Sequence, residues 1–188
     1  LAHNNPQDHP VHRGLVDFAQ KLKEISAGKY EIIVYPSEIL GREREVLELI
    51  QELADFEKEP EAVEVSVEDL VNDGFGENPL FKCFVGEVNN KIEGMALFYN
   101  RYSTWKGKTI HLEDLVVRAS KRGTGLGNAL FKQVISYAKQ EGVGRAEWVV
   151  LDWNTNAIKF YERSGATILK DWHLVQMNKE QLNNYTTN

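Results

Sequence analysis

The sequence predicts an α/β fold, because runs of strand character alternate along it with amphipathic runs of helical period. Two stretches carry this prediction. Residues 81–88 and 92–102 have the composition of two strands, and Asn89-Asn90 between them predicts a hairpin turn. Residues 110–117 form an apolar strand that leads through a glycine-rich turn into an amphipathic helix over residues 126–139.

The part of the chain before this hairpin predicts three helices and a strand. In the first helix, apolar residues recur at steps of four and three: Val11, Leu15, Phe18, Leu22 and Ile25. Residues 30–35 predict a short strand closed by Pro36, and a second amphipathic helix follows from about Arg42. A third, short helix is predicted over residues 67–71, with Ser66 as its N-cap.

Further elements are predicted beyond the helix that follows the glycine-rich turn. Residues 146–151 form a second apolar strand, and a helical run follows Asn154. Residues 172–177 alternate enough to predict a final strand. Residues 181–188 are predicted to be a frayed tail.

Length and composition limit the function classes that fit this chain. Its 188 residues, 42% of them hydrophobic, suffice for one domain or for one domain with an appendage. The net charge of −6 argues against nucleic-acid binding and suits a cationic substrate. No apolar run approaches the length of a membrane span and no signal peptide begins the sequence, so we expect a cytoplasmic protein.

Cysteine and histidine residues do not suggest a disulfide or a metal site. The single cysteine, Cys83, cannot form an internal disulfide, and its place in a strand predicts a small core residue rather than a nucleophile. We interpret the histidines near the start of the chain, His3, His9 and His12, as solvated side chains. We therefore expect no metal cofactor.

The glycine-rich turn predicts a seat for a phosphate or pyrophosphate group. Its residues are Arg122, Gly123, Thr124, Gly125, Leu126, Gly127 and Asn128. Glycine leaves backbone N–H groups unshielded, the start of a helix favours negative charge, and Arg118 and Lys121 add positive charge nearby. No Gly-Lys-Ser/Thr follows and Asn128 replaces the third spaced glycine, so this is neither a Walker loop nor a dinucleotide-binding loop. Taken alone, the pattern also fits a purely structural turn.

With its flanking motifs, this turn resembles the GNAT superfamily of acetyl-CoA-dependent N-acetyltransferases. Arg-x-x-Gly-x-Gly follows one strand, and Asn154-x5-Phe160-Tyr161-x3-Gly165-Ala166 follows the next. The match covers residues 47–178 and is closest to the diamine branch, which includes the spermidine/spermine and thialysine acetyltransferases. Its further motifs are Glu52-Leu53-Ala54, Phe56-Glu57, Asp73-Gly74-Phe75-Gly76-Glu77, Trp105-x-Gly107-Lys108, Leu112-Glu113-Asp114 and Val150-Leu151-Asp152-Trp153-Asn154.

This resemblance implies a fold and a reaction. The fold is a mixed, mostly antiparallel sheet flanked by helices, splayed where two central strands part to admit the cofactor. The reaction transfers an acetyl group from acetyl-CoA to a primary amine by direct attack, with no acyl-enzyme. The implied substrate is a small polyamine, a diamine or a lysine-like amino acid, and the implied assembly is a homodimer.

The resemblance also assigns roles to single residues. Tyr161 occupies the place of the family's catalytic proton donor, and Glu113 the place of the residue that binds substrate and helps remove its proton. The implied cofactor-binding residues are Leu115, Val116 and Val117, the seven residues of the glycine-rich turn, Asn154, Asn156 and Tyr161. The implied substrate residues are Phe56, Glu57, Glu113, Asp114 and Trp148. In this branch tyrosine is commoner than phenylalanine at the position of Phe56, so the resemblance does not carry one hydroxyl contact over to this chain.

The chemistry of these residues leaves alternatives open. Tyr161 is protonated at neutral pH and can pass a proton to a thiolate, but a core tyrosine fits the same pattern. Asn154 can cap a helix or hold the pantetheine arm. Glu113 can accept the proton of the amine while Asp114 anchors a second positive charge. Strand alternation puts only one of these neighbours in the cleft unless a bulge intervenes.

The opening of the chain resembles a different family, the solute-binding proteins of tripartite ATP-independent periplasmic transporters. The residues that carry this resemblance are Ala2-His3, His9-Pro10, Phe18-Ala19, Gly28-Lys29, Tyr35-Pro36 and Leu40-Gly41-x-Glu43-Arg44-Glu45. The two resemblances meet within residues 46–51, so we interpret the chain as a mosaic. Residues 1–28 are then an extension with an added helix, and residues 29–180 an acetyltransferase domain whose strand 30–35 replaces the usual first strand. Residues 181–188 are the tail.

Two alternative functions follow from the same motifs. One is an acetyltransferase of protein or peptide amines, which needs an open cleft rather than an acidic pocket around Glu57, Glu113 and Asp114. The other is a mosaic that keeps the fold and CoA binding but has lost turnover.

Overall fold

The computed structural model describes residues 10–25, 43–76 and 78–185. The chain divides into two compact units, Leu1–Trp148 and Val149–Asn188. In the first unit the elements are α1 (Pro10–Ile25), α2 (Glu43–Glu57), α3 (Val67–Phe75), β1 (Lys82–Val88), β2 (Lys91–Ser103), β3 (Gly107–Val117), a 3₁₀ turn (Ala119–Lys121), α4 (Leu126–Gln140) and β4 (Arg145–Glu147). The second unit contains α5 (Thr155–Arg163) and α6 (Lys179–Asn184).

The predicted hairpin is confirmed, and its turn explains why two asparagines stand there. Asn89 and Asn90 have φ angles of 52° and 61°, which asparagine tolerates better than most other residues with a side chain. A two-residue turn with both φ angles positive matches the right-handed twist of the strands that it joins. It pairs Val88 with Lys91 and so sets the register of β1 on β2.

The four described strands form one mixed sheet in the order β1-β2-β3-β4. The β1/β2 and β2/β3 pairs are antiparallel and the β3/β4 pair is parallel, which confirms the predicted mixed and mostly antiparallel sheet. The parallel ladder is short, since it joins only Thr109, Ile110 and His111 of β3 to β4. No described strand pairs with the later part of β3, residues 112–117, on the side away from β2.

The central strand β2 is covered on both faces, and residues 92–98 are all buried. Adjacent residues of a strand face opposite sides of the sheet. Met95 packs with Leu49 of α2, whereas a Cβ atom at Gly94 would meet Leu130 of α4 at 3.2 Å. Helices α2 and α4 therefore lie on opposite faces, as in other folds that bury a sheet between helices.

Two glutamate side chains bind helix α2 to the sheet. Glu45 Oε2 accepts a hydrogen bond from the backbone N–H of Ile92, with an N···O distance of 2.8 Å. Glu52 Oε1 accepts one from the backbone N–H of Ala119, also at 2.8 Å. These bonds fix α2 against the start of β2 and against the segment that follows β3.

The described helices agree with the sequence pattern, and one is longer than predicted. Helices α1 and α2 form where the apolar periodicity places them. Ser66 caps α3 as predicted, in a capping box in which Asp69 binds back to the Ser66 backbone, and this helix extends to Phe75. The predicted strand at residues 30–35 and its pairing into the sheet lie outside the described residues.

Two predicted strands differ from the structure. The strand predicted over residues 146–151 is the three-residue β4, and residues 148–151 form no ladder. The final strand predicted over residues 172–177 is wrong: this segment is not in a ladder, and Leu174 and Val175 are 72% and 87% exposed. Alternation predicts which side chains share a face, but a strand also needs a neighbouring backbone to bond with. Part of the predicted tail is helical, because Asn178 and Gln181 form a capping box at the start of α6.

The burial of Leu49 provides a test of whether α2 belongs to the core. Leu49 is 0% exposed, so Leu49→Ala is expected to lower the free energy of unfolding by about 2–5 kcal/mol, measured by denaturant titration. Val16→Ala in α1 is the control, because Val16 is 42% exposed. A loss for Leu49→Ala as small as that for the control would contradict the described packing.

Candidate active site

The glycine-rich turn lies between the end of β3 and the start of α4. Gly123 and Gly125 have φ angles of 77° and 94°, in the region that favours glycine. Gly125 is the N-cap of α4 and offers no side chain to its first N–H groups. The backbone N–H groups of the first helical turn lack intrahelical partners, so they can bind an anion. Residues 122–125 are exposed, which leaves this seat open to solvent.

Side chains of the turn hold its shape. Arg122 Nε donates to the carbonyl of Val117 at 3.1 Å, and Thr124 Oγ1 donates to the carbonyl of Lys121 at 2.7 Å. The Arg122 guanidinium also lies over the ring of Phe56, 5.1 Å from its centroid. This contact brings a residue assigned to the cofactor beside one assigned to the substrate.

The two other cations predicted to assist the turn are already paired. Arg118 lies 3.0 Å from Glu48, 3.7 Å from Glu52 and 3.8 Å from Glu93. Lys121 lies 3.9 Å from Glu93. Their positive charge is therefore balanced by carboxylates, whereas no described carboxylate forms an ion pair with Arg122.

Strand β3 has a bulge at Glu113, beside Asp114. Leu97 of β2 pairs with Asp114 and Phe98 pairs with Leu112, so Glu113 is an extra residue with no partner on β2. A bulge breaks the strict alternation of side chains along a strand. The condition under which both acids can serve one cleft is therefore met. Beyond the bulge, Leu115, Val116 and Val117 pair with Ala96, Met95 and Gly94, and their other edge faces no described strand.

Three of the predicted substrate residues form an acidic cluster. Burial, together with the negative charges of Glu113 and Glu57, raises the pKa of Asp114 to about 6. Burial also raises the pKa of Glu57, at the end of α2. Because nearby carboxylates repel one another, the cluster favours a bound cation. The sequence predicted these members, and the fold brings together two segments that lie more than fifty residues apart.

A polar network beside Glu113 was missed by the sequence reasoning. The Tyr99 hydroxyl donates to Glu113 Oε2 at 3.0 Å, and His111 Nε2 lies 3.6 Å from the same oxygen. His111 Nδ1 lies 3.2 Å from Arg101 Nη1. The β2/β3 register pairs Tyr99 with His111, and counting back from the turn that pairs Ser103 with Gly107 would have found this neighbourhood.

The second unit holds the other predicted residues. Asn154 is the N-cap of α5, where its side chain accepts from the N–H of Ala157 at 3.2 Å, and Asn156 is exposed in the first turn. Tyr161 is 8% exposed, and burial raises its pKa to about 12. The Tyr161 ring packs beside that of Phe160, with centroids 5.2 Å apart. Tyr161 is thus a buried tyrosine that stays protonated at neutral pH, which fits both interpretations of the sequence.

Two further residues considered in the sequence analysis, Trp148 and Cys83, pack against other side chains of the first unit. Trp148 packs edge-on against Phe131 of α4, with ring centroids 5.4 Å apart. Cys83 packs against the core cluster and burial raises its pKa to about 12, which confirms it as a core residue.

Within the described ranges, no group of three histidine, cysteine or acidic residues has the arrangement of a metal site. None of the described helices combines the length and the apolar character that crossing a membrane requires.

The opening of the chain matches a second family. Residues 1–55 match the model of the bacterial extracellular solute-binding proteins, family 7. Residues 44–55 of this match, which lie within α2, also belong to the acetyltransferase match over residues 44–166. The overlap supports the mosaic interpretation.

The rest of the chain matches acetyltransferases. The thialysine N-epsilon-acetyltransferase of Bos taurus is 38% identical in an alignment of length 148 that covers 73% of this chain and 87% of the relative. The spermidine/spermine N(1)-acetyltransferase-like protein 1 of Homo sapiens is 36% identical over 73% of this chain and 21% of its own length. An integron cassette protein from the mobile metagenome of V. cholerae superposes with a TM-score of 0.61 at 25% identity, over 74% of this chain and 88% of its own. Residues 44–166 match the model of the acetyltransferase (GNAT) family. The chain is therefore a member of the GNAT acetyltransferase family.

Proposed function

We propose that this enzyme transfers an acetyl group from acetyl-CoA to a primary amine of a small polyamine, a diamine or a lysine-like amino acid. The observation that carries this proposal is the acidic cluster of Glu57, Glu113 and Asp114 at the bulge of β3. A substrate with two positive charges would satisfy these carboxylates better than a neutral one. Two of its relatives bear the names of thialysine and spermidine/spermine acetyltransferases, which favours the same substrate class.

The residues of the glycine-rich turn fit the pyrophosphate of acetyl-CoA. The turn offers the open N–H groups at the start of α4, and the nearby Arg122 guanidinium is not in an ion pair with any described carboxylate. Gly125 has no side chain, so a phosphate group can approach its backbone closely. Its φ of 94° lies in a region that most residues with a side chain avoid. The edge of residues 112–117 that faces no described strand leaves backbone groups that can bind the rest of the cofactor as an added strand would.

Glu113 is the group that removes a proton from the amine. An alkylammonium has a pKa of about 10.4 and lacks a lone pair at neutral pH, so it must first lose a proton. The Glu113 carboxylate is 51% exposed, accessible to a substrate or to an intervening water. Asp114 and Glu57 lie near it and would hold a second positive charge away from the reacting nitrogen.

Bound acetyl-CoA would supply a thioester. Attack by the neutral amine would form the C–N bond of an amide while the C–S bond breaks to release a thiolate, and the nitrogen would lose its second proton to solvent, which later reprotonates the proton donor. The Tyr161 hydroxyl is the proposed donor of the proton that this thiolate takes up. Burial keeps Tyr161 protonated well above neutral pH, so the proton is available throughout the working range. The predicted cytoplasmic location and homodimer stay predictions.

A thiol-release assay tests the proposal. Acetyl-CoA is incubated with the chain and with spermidine, putrescine, lysine, ornithine or a peptide that has a free amino terminus. Thiol release with the small dibasic amines is expected. Release with the peptide alone would support an acetyltransferase of protein amines. CoA binding without release in any arm would identify a mosaic that has lost turnover.

Gly125→Asp is expected to weaken acetyl-CoA binding at least tenfold, measured by calorimetry. The substitution adds a β-carbon at a strained φ and a negative charge where the phosphates bind. Gly142→Asp is the matched control, because Gly142 also has a positive φ, of 63°, and lies just after α4 rather than in the turn. Equal affinity in the two variants would contradict the assignment of the turn.

Tyr161→Phe is expected to keep acetyl-CoA binding and to lower kcat by roughly a hundredfold, as loss of a general acid does. Tyr102→Phe, at a side chain that is 77% exposed, should turn over as the parent does. If Tyr161→Phe also matched the parent at neutral pH, Tyr161 would be a core residue and the acid would lie elsewhere.

Asp114 predicts a pH dependence of substrate affinity. Its pKa is raised to about 6, so below that pH it is largely protonated and cannot pair with a cation. The KM for spermidine should therefore fall as the pH rises through about 6. Asp114→Asn should remove this fall and raise KM by about fivefold at pH 7, equivalent to ~1 kcal/mol of ion pairing. The control, Asp171→Asn at an exposed site, should keep the parental profile.

A further inference from the structure

The network beside Glu113 belongs to three strands. Tyr99 and Arg101 alternate on β2, so both side chains project from the same face of the sheet. His111 stands opposite Tyr99 on β3, and their rings lie 5.2 Å apart at an angle of 31°. Glu147 of β4 closes the network, because its carboxylate lies 3.0 Å from Arg101 and 2.8 Å from Arg145.

Arg101 determines which ring nitrogen of His111 carries the proton. A guanidinium can only donate hydrogen bonds, so His111 Nδ1, 3.2 Å from Arg101 Nη1, has to accept. The neutral ring then carries its hydrogen on Nε2, the nitrogen that lies 3.6 Å from Glu113 Oε2. Burial lowers the pKa of His111, and Arg101 lowers it further while Glu113 and Glu147 oppose the change. His111 is therefore neutral at neutral pH.

Tyr99 and His111 both approach the same oxygen of Glu113. The Tyr99 hydroxyl donates to Oε2 at 3.0 Å, and the Nε2 of His111 lies close to it. Oε1 has no hydrogen-bond partner among the described residues. Without these contacts, a carboxylate that is 51% exposed and lies on a bulge would sample several rotamers. Restricting it to the one rotamer from which it reacts would then cost conformational entropy.

We propose that Tyr99 and His111 are positioning residues that hold the Oε2 atom of Glu113, with Arg101 fixing the tautomer of His111, so that Oε1 stays available to the amine. The inference rests on the proposed role of Glu113 as the group that takes up the amine proton. Neither residue needs to touch the substrate. Their contribution acts through the orientation of one carboxylate.

The first test does not depend on turnover. Nitrogen chemical shifts of the imidazole rings in the full chain report which nitrogen of each histidine is protonated. The His111 signals are identified by their loss in His111→Gln, since the chain has 5 histidines. A neutral ring with its hydrogen on Nε2 is expected at pH 7. A hydrogen on Nδ1, or a charged ring, would overturn the arrangement.

The second test measures kcat and KM in the thiol-release assay with spermidine or lysine. Tyr99→Phe and His111→Leu should each lower kcat about tenfold, the size expected for a contact to a charged group, with the KM for acetyl-CoA unchanged. His111→Gln keeps an N–H donor near the position of Nε2, so it should recover most of the loss. Tyr102→Phe and His173→Gln, both at exposed side chains, are the matched controls and should keep the parental kcat.

Combining these variants with Glu113→Gln separates the inference from the proposed function. If Tyr99 and His111 act through Glu113, their substitution should change kcat less than twofold once the carboxylate is gone. Full tenfold losses in that background, or parental kcat in the single variants, would overturn the positioning role. Parental turnover of Glu113→Gln alone would instead overturn the proposed role of Glu113.

Discussion

The contact between helix α2 and the central strands is the constraint on which the rest of the described site depends. Glu48 and Glu52 pair with Arg118, and Glu45 and Glu52 accept backbone N–H groups of the sheet and of the turn after β3. Between these glutamates, Leu49 is fully buried. The same helix ends at Glu57, beside the carboxylates of β3, so its seating sets both the start of the glycine-rich turn and one side of the acidic cluster.

Much of the fold could be predicted because its signals are local. The Asn89-Asn90 turn, the Ser66 cap and the helix after the glycine-rich turn each depend on residues close in sequence. The predicted strand over residues 172–177 failed for the opposite reason, since alternation cannot supply a partner strand. The bulge at Glu113 depends on how β2 and β3 are paired. From the sequence it could therefore be given only as the condition under which both acids face one cleft.

The residues of the candidate site differ in the same way, since some have a local sequence signal and others depend on how the strands pair. Glu57, Glu113, Asp114 and the glycine-rich turn were found because their residue types are unusual at those positions or resemble a known family. Tyr99 and His111 looked like ordinary strand residues, and their importance comes from the cross-strand register. Arg118 shows the converse: a cation beside an anion seat suggested a role in binding, yet its charge is used to secure α2.

The overlap of the two family matches within one helix has a consequence for how a mosaic chain could arise. Each residue inserted into or removed from an α-helix rotates everything beyond it by about 100° around the axis. A join within α2 would therefore have to keep the angular phase between Glu45 and Leu49, which lie in the overlap of the two matches, and the part of the helix that leads to Glu57. A join that changed this phase would rotate Leu49 relative to Glu57, so that both could not keep their described positions. Of the many ways to splice two unrelated genes here, only those that preserve helical phase would leave a folded acetyltransferase.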